Sequence, residues 1–131
     1  MTESDMVTNA ISEMIEQRYG ATIVASPEGT LRGIFTEWDV LTKIVNQGHD
    51  PKTTTLGEVM TSEPVSVDIG ESLDAAIHCM QTHQISHLPI IEDGGNIVGM
   101  ITLRHLLHDK IRDLVNELHE LESYLNDAPG G

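Results

Sequence analysis

The run Gly33-Ile-Phe-Thr-Glu-Trp-Asp39 places a glycine, a hydroxyl and a carboxylate three residues apart. A glycine at a strand end lets another molecule approach the backbone. The Thr36 hydroxyl, where strand hands over to a helix beginning near Trp38, can meet a phosphate or cap that helix. The Asp39 carboxylate is a pure acceptor and can take both hydroxyls of a ribose at once. Thr36 and Asp39 equally form an N-cap with a first-turn acid, which is favourable with nothing bound. Trp38 either borders such a site or packs half-buried at a subunit surface. His87 can meet a phosphate and take up a proton with it, or it can sit packed and neutral.

Other reactive side chains carry less. The chain has seven histidines, and His105 and His108 stand three apart beside Asp109. No HExxH run or Cys/His ligand set accompanies them, so no metal site is expected and solvated helix-face histidines are the simpler reading. Cys79 falls among apolar residues at helical spacing, as a small buried hydrophobe. Gly-x-Ser-x-Gly elbows, Walker loops and Gly-x-Gly-x-x-Gly fingerprints are all absent, so the chain is not expected to be an enzyme.

The elements that must position these residues come in two copies. Gly29 and Gly33 recur 66 residues on as Gly95 and Gly99. In the same ungapped register Ala10, Ile11, Met14, Thr36 and Leu41 recur as Ala76, Ile77, Met80, Thr102 and Leu107. The period is too long for a solenoid and marks two copies of one supersecondary unit. Helical spacing of apolar residues predicts helices over 8–18 and 72–83, with Ser72 as N-cap of the second. Strands are predicted over 21–25 and 88–91, then over 31–36 and 97–102. Pro27-Glu-Gly29 and Asp93-Gly-Gly95 supply the turns between them. A second helix follows in each copy, over 38–46 and from 103 onward.

Copy two also has a lead-in, Val59-Met-Thr-Ser-Glu-Pro-Val-Ser-Val67, broken by Pro64, in which Val65 and Val67 alternate as a short edge strand. The matching stretch of copy one lies before residue 2, so copy one lacks its lead-in strand. The expected organisation is a first unit over 1–50, a linker over 51–58 and a second unit over 59–112. A helical extension and tail occupy 113–131, with Asp127-Ala-Pro-Gly-Gly131 as a fraying stop. Leu107, Ile111, Leu114, Leu118, Leu121 and Leu125 form a heptad seam. The seam either docks on a partner subunit or packs on its own domain.

Composition excludes several functions. The chain has 131 residues, seven cations against 21 acids, and a net charge of −14. Such a surface repels phosphate backbones and anionic lipid, so neither nucleic acid nor membrane is an expected partner. With aromatics at 3%, the core must be aliphatic. One cysteine allows no internal disulfide, and a reducing compartment follows as the simplest reading. The polar start Met1-Thr-Glu-Ser-Asp-Met6 does not read as a signal peptide, and the cytoplasm is the expected location.

The chain resembles the tandem CBS-domain family, named for motifs of the cystathionine-β-synthase type. The resemblance rests on Gly33-Ile-Phe-Thr-Glu-Trp-Asp39, Glu58-Val-Met-Thr-Ser-Glu-Pro64, Ile85-Ser-His-Leu-Pro-Ile-Ile91 and Gly95-Asn-Ile-Val-Gly99, in that order. It implies a mixed α/β (α+β) fold of two βαββα units related by a pseudo-two-fold axis, here with a C-terminal helix added. It also implies a regulatory module, commonly a homodimer, with clefts for adenosine-containing ligands: AMP, ADP, ATP or S-adenosylmethionine. Few cations are on hand for a triphosphate, which favours an AMP-like or S-adenosyl ligand over ATP. By the same resemblance one cleft joins Gly33, Thr36, Trp38 and Asp39 to Met60, Thr61, Pro64, Val65, Ile85, Ser86 and His87. The other cleft is doubly defective, with His105 where the acid belongs and no lead-in strand. One working site is therefore expected, and the alternative is a ligand-free dimerisation or protein-interaction module.

Overall fold

The computed structural model describes residues 1–127. The chain runs through α1 (Val7–Gln17), β1 (Ala21–Ala25), β2 (Leu31–Thr36) and α2 (Glu37–Asp39), which passes directly into a π-helix (Val40–Val45). Then come α3 (Leu56–Val59), β3 (Thr61–Ser62), β4 (Val67–Asp68), α4 (Leu73–His83), β5 (His87–Glu92), β6 (Asn96–Thr102) and α5 (Leu103–Asp127). The expected stop over 128–131 lies outside the described residues. No helix among the described residues is long and apolar enough to cross a membrane.

The repeat in sequence is a repeat in hydrogen bonds. Each first helix ends on a left-handed residue, Arg18 (φ 58°) and Gln84 (φ 54°). Each hairpin carries an irregularity at the same place, Val24/Ala25 in β1 and Ile90/Ile91 in β5. The Glu37 N–H donates to the Gly20 carbonyl, and 66 residues on the Leu103 N–H donates to that of Ser86, both at 2.9 Å. The two units join by a reciprocal exchange. Leu31 N–H donates to the Gly95 carbonyl (3.0 Å), and Ile97 N–H donates to the Gly29 carbonyl (3.1 Å). Gly29 and Gly95 have φ of +90° and +120°, which side-chain-bearing residues rarely adopt. The exchange is the pseudo-two-fold relation in its smallest form.

Two sheets result, ordered β1-β2-β3 and β4-β5-β6. The lead-in divides between them, whereas a single edge strand at Val65 and Val67 was expected. Thr61 and Ser62 pair antiparallel with Ile34 and Gly33 of the first sheet. Val67 and Asp68 pair parallel with Ile90 and Ile91 of the second, and Val65 belongs to no strand. Pro64 lies between, and with no N–H to donate it suits the crossing from one sheet to the other. Among the described residues the first sheet has no parallel lead-in strand; the Ala25 N–H is met instead by the Met1 carbonyl at 2.8 Å.

A regular helix over 38–46 also gives way, in part, to a wider coil. Asn46 and His49 donate five residues back, to Leu41 and Ile44. The Thr42 hydroxyl takes the Trp38 carbonyl at 2.8 Å, competing with the backbone for the acceptor an α-helix would use. Val40, Ile44 and Val45 add β-branched residues of modest helix propensity.

The two cores differ in size. Val7, Ala10, Met14, Val24, Phe35, Ile44, Leu56 and Val59 fill the first, whereas Ala76, Met80, Leu88 and Leu106 fill the second. Cys79 is half-buried against the second core. Beyond residue 110, α5 leaves the body. Leu114, Leu118, Leu121 and Leu125 are each more than half exposed, so the seam does not pack on its own domain.

Candidate functional site

A cavity of about 410 Å³ opens between the units, with walls from both. One wall is the corner where β2 meets α2. Thr36 is extended there (φ −119°, ψ 167°) and caps the turn: its Oγ1 accepts from the Asp39 N–H at 3.2 Å. Asp39 Oδ2 answers by accepting from the Thr36 N–H (2.9 Å) and the Thr36 hydroxyl (3.2 Å). This reciprocal arrangement is a capping box. Lys43 Nζ lies 3.2 Å from Asp39 Oδ1 and also donates to the Val59 carbonyl at 2.7 Å. That second bond ties the corner to the segment leading into β3.

Asp39 is buried at 5% exposure and lines the cavity. A carboxylate offers about four lone-pair directions, and the bonds above occupy both on Oδ2 and one on Oδ1. One acceptor direction remains, on Oδ1. Asp39 can therefore take one further hydroxyl, where two were expected from its chemistry alone.

Thr61, Pro64 and Val65 form a second wall, and Ile85, Ser86 and His87 form a third. The left-handed Gln84 turns the chain from α4 so that these three residues run along the cavity into β5. Burial pushes the His87 imidazole below its ordinary pKa, and the Glu37 carboxylate pulls the other way. The lining contains two acids, Glu37 and Asp39, and no lysine or arginine.

Nine of the eleven residues expected at the site line this cavity: Thr36, Trp38, Asp39, Thr61, Pro64, Val65, Ile85, Ser86 and His87. Gly33 and Met60 do not. Gly33 is where β2 meets β3: a Cβ there would run into the Met60 thioether and stand 2.9 Å from the Thr61 carbonyl. The missing side chain admits protein backbone and not a ligand, and Met60 is spent on that contact. Trp38 lines the cavity at its rim and is 70% exposed in the single chain.

Gly20, Ile34, Glu37 and Gln84 line the cavity and were not anticipated. Gly20 stands at the position matching Ser86, so the 66-residue offset itself could have found it. Glu37 sits between the two motif residues; its closeness to His87 arises from tertiary structure.

The matching corner of the second unit is simpler. Thr102 Oγ1 accepts from the His105 N–H at 3.1 Å. His105 is exposed and lines none of the cavities described. No group of three potential metal ligands occurs among the described residues.

A CBS domain family model matches residues 1–46 and 56–119. The chain belongs to the CBS domain family. A mitochondrial CBS domain-containing protein of Arabidopsis thaliana, CBSX3, is 32% identical over 128 residues, 95% of this CBS chain and 62% of the plant protein. The chain thus spans less than two thirds of that relative. A signal-transduction protein with CBS domains from Burkholderia ambifaria shares 35% identity with a TM-score of 0.78, over 86% of this chain and 81% of its own. The CBS domain protein PAE2072 of Pyrobaculum aerophilum, solved in complex with AMP, shares the fold at a TM-score of 0.73. Its identity is 21%, and the match covers 79% of each chain.

Proposed function

We propose that this CBS pair is a regulatory sensor that holds an adenosine-containing ligand of low charge, AMP-like or S-adenosyl in type, in the single cleft headed by Asp39. The observation that carries the reading is the cavity itself, built from both units and closed on one side by a buried carboxylate with an acceptor to spare. A ligand there touches Thr36–Asp39 of one unit and 84–87 of the other, so binding reports on how the units sit together. That AMP occupies another protein of this fold supports the ligand class. Two acids and no lysine or arginine in the lining weigh against a triphosphate.

The module acts as a homodimer. Ile15, Trp38, Leu41 and Val45 are each more than half exposed on the helical side of the first unit. Leu107 and Ile111, at the positions matching Leu41 and Val45, continue that apolar character onto the second unit. A soluble monomer rarely leaves so large an apolar surface to water.

Calorimetric titration with AMP, ADP, ATP and S-adenosylmethionine tests the ligand reading. One ligand per chain is expected, AMP or S-adenosylmethionine binding more tightly than ATP. A ligand at 100 times its Kd adds about 2.7 kcal/mol to the native state, so a thermal shift should accompany binding. If none of the four binds, the alternative of a ligand-free interaction module stands. Two ligands per chain would overturn the one-cleft assignment.

A further inference from the structure

α5 is polarised along its length. Its first third carries Arg104, Lys110 and Arg112, three of the seven cations in the chain, against a single acid, Asp109. Residues 113–125 carry Asp113, Glu117, Glu120 and Glu122 with no lysine or arginine. Those acids crowd the end of the helix where its own dipole favours cations. Residues 111–125 are exposed throughout, and the nearby cations Lys110 and Arg112 are paired with Asp74 at 3.0 Å and with Asp109 at 3.3 Å. The seam on this helix is broadened by Val115 and Tyr124, 43% and 73% exposed.

We infer that α5 pairs antiparallel with α5 of a second copy, about a two-fold axis near residue 116. This rests on the reading of the chain as a homodimer and fixes the direction of its helices. A helix with a heptad seam fits another seam of the same period. In the antiparallel register every seam residue finds a seam partner: 107 with 125, 111 with 121, and 114 with 118. The basic third of each helix then lies beside the acidic end of the other. On one flank His108 meets the partner's Glu122, and Val115 meets its own counterpart. On the other flank Lys110 meets the partner's Tyr124, with Glu117 facing Glu117 once. The parallel register would set Glu117 against Glu122 on both sides and align like charge with like along the whole length. At the foot of the helix Leu107, His108 and Ile111 border an open groove whose far wall includes Glu37, Ser86 and His87.

Cysteine pairing in the full chain with Cys79→Ala tests this. In the antiparallel pair each Ile111 lies ten residues, or about 15 Å, from its own counterpart, beyond the roughly 7 Å a disulfide spans. Ile111→Cys alone and Leu121→Cys alone should therefore fail to cross-link, and the double variant should form covalent dimers under mild oxidation. Both positions are more than half exposed, so neither change disturbs a core. Sedimentation velocity of the unmodified chain should give a dimer. Cross-linking by either single variant shows parallel helices, and a dimer whose double variant stays uncross-linked shows pairing elsewhere. Either result overturns the inference while leaving the homodimer. A monomer removes both.

Discussion

The Thr36–Asp39 corner and the Thr102–His105 corner occupy equivalent places in the two units and follow the same backbone path. Both threonines accept from the N–H three residues on, at 3.2 and 3.1 Å. They differ in what comes back. Asp39 returns a carboxylate to the Thr36 N–H and hydroxyl and holds Lys43, which in turn holds the Val59 carbonyl. His105 returns no side chain to Thr102 and points to solvent. The glycines beneath differ in the same sense: Gly33 carries β3 against it, whereas nothing stands within 4 Å of a Cβ at Gly99. One fold, used twice, thus gives a cross-braced corner whose acid lines a cavity, and an unbraced one where Thr102 borders an open groove that His105 does not line. The difference lies in the segment crossing over at 59–65, which builds only one side.

Removing the brace should have the largest effect. Asp39→Ala deletes charge-assisted hydrogen bonds worth roughly 1.5–3 kcal/mol and leaves Lys43 without its partner. Affinity for the adenosine ligand should fall about ten- to a hundredfold by calorimetry, with a lower melting temperature. His105→Ala should leave both nearly unchanged, and equal losses in the two variants would erase the distinction between the corners. The glycines come next. Gly33→Ala forces β3 and Met60 outward and should cost about 1–3 kcal/mol in urea unfolding, as overpacking does. Gly99→Ala meets open space and should be within about 0.5 kcal/mol of the parent. The smallest effect concerns acid. Burial lowers the pKa of His87 in the fold from 6.5, so the unfolded chain takes up that proton first as pH falls. The contribution of His87 is complete well above pH 6.5 and is lost as pH drops from there through the lowered value. The melting temperature of wild type should therefore fall more between pH 7 and pH 5 than that of His87→Gln. Equal slopes would mean that burial does not hold the imidazole neutral. Ala21 holds the equivalent place in the first unit and cannot titrate.

Much of this was legible in the residues because it is local or repeated. Apolar spacing marked α1 and α4, and the turn glycines marked both hairpins, since backbone sterics act over a few residues. Family resemblance and the repeat brought Thr36 and Asp39 together with 85–87. The π-helix was not legible, because it depends on a Thr42 hydroxyl competing for one carbonyl. The role of Gly33 was misread for a related reason. A missing side chain shows that something comes close, and only the packing of the segment entering β3 against β2 shows that the visitors are the Met60 side chain and the Thr61 carbonyl. Glu37 escaped notice because its neighbour His87 is 50 residues away. The α5 seam was visible as a pattern, and its exposure shows that it does not pack on its own domain.

The exchange between Leu31 and Gly95 and between Ile97 and Gly29 has a kinetic side. Each hairpin closes over a handful of residues, a microsecond event. Joining the halves closes a span of more than 60 residues, and that search is slower because chain entropy opposes it until the bonds form. The bonds that join the halves are thus the ones with the longest loops to close. Chain entropy therefore weighs most on their common boundary, and a molecule bound across it to the native state alone would offset part of that cost.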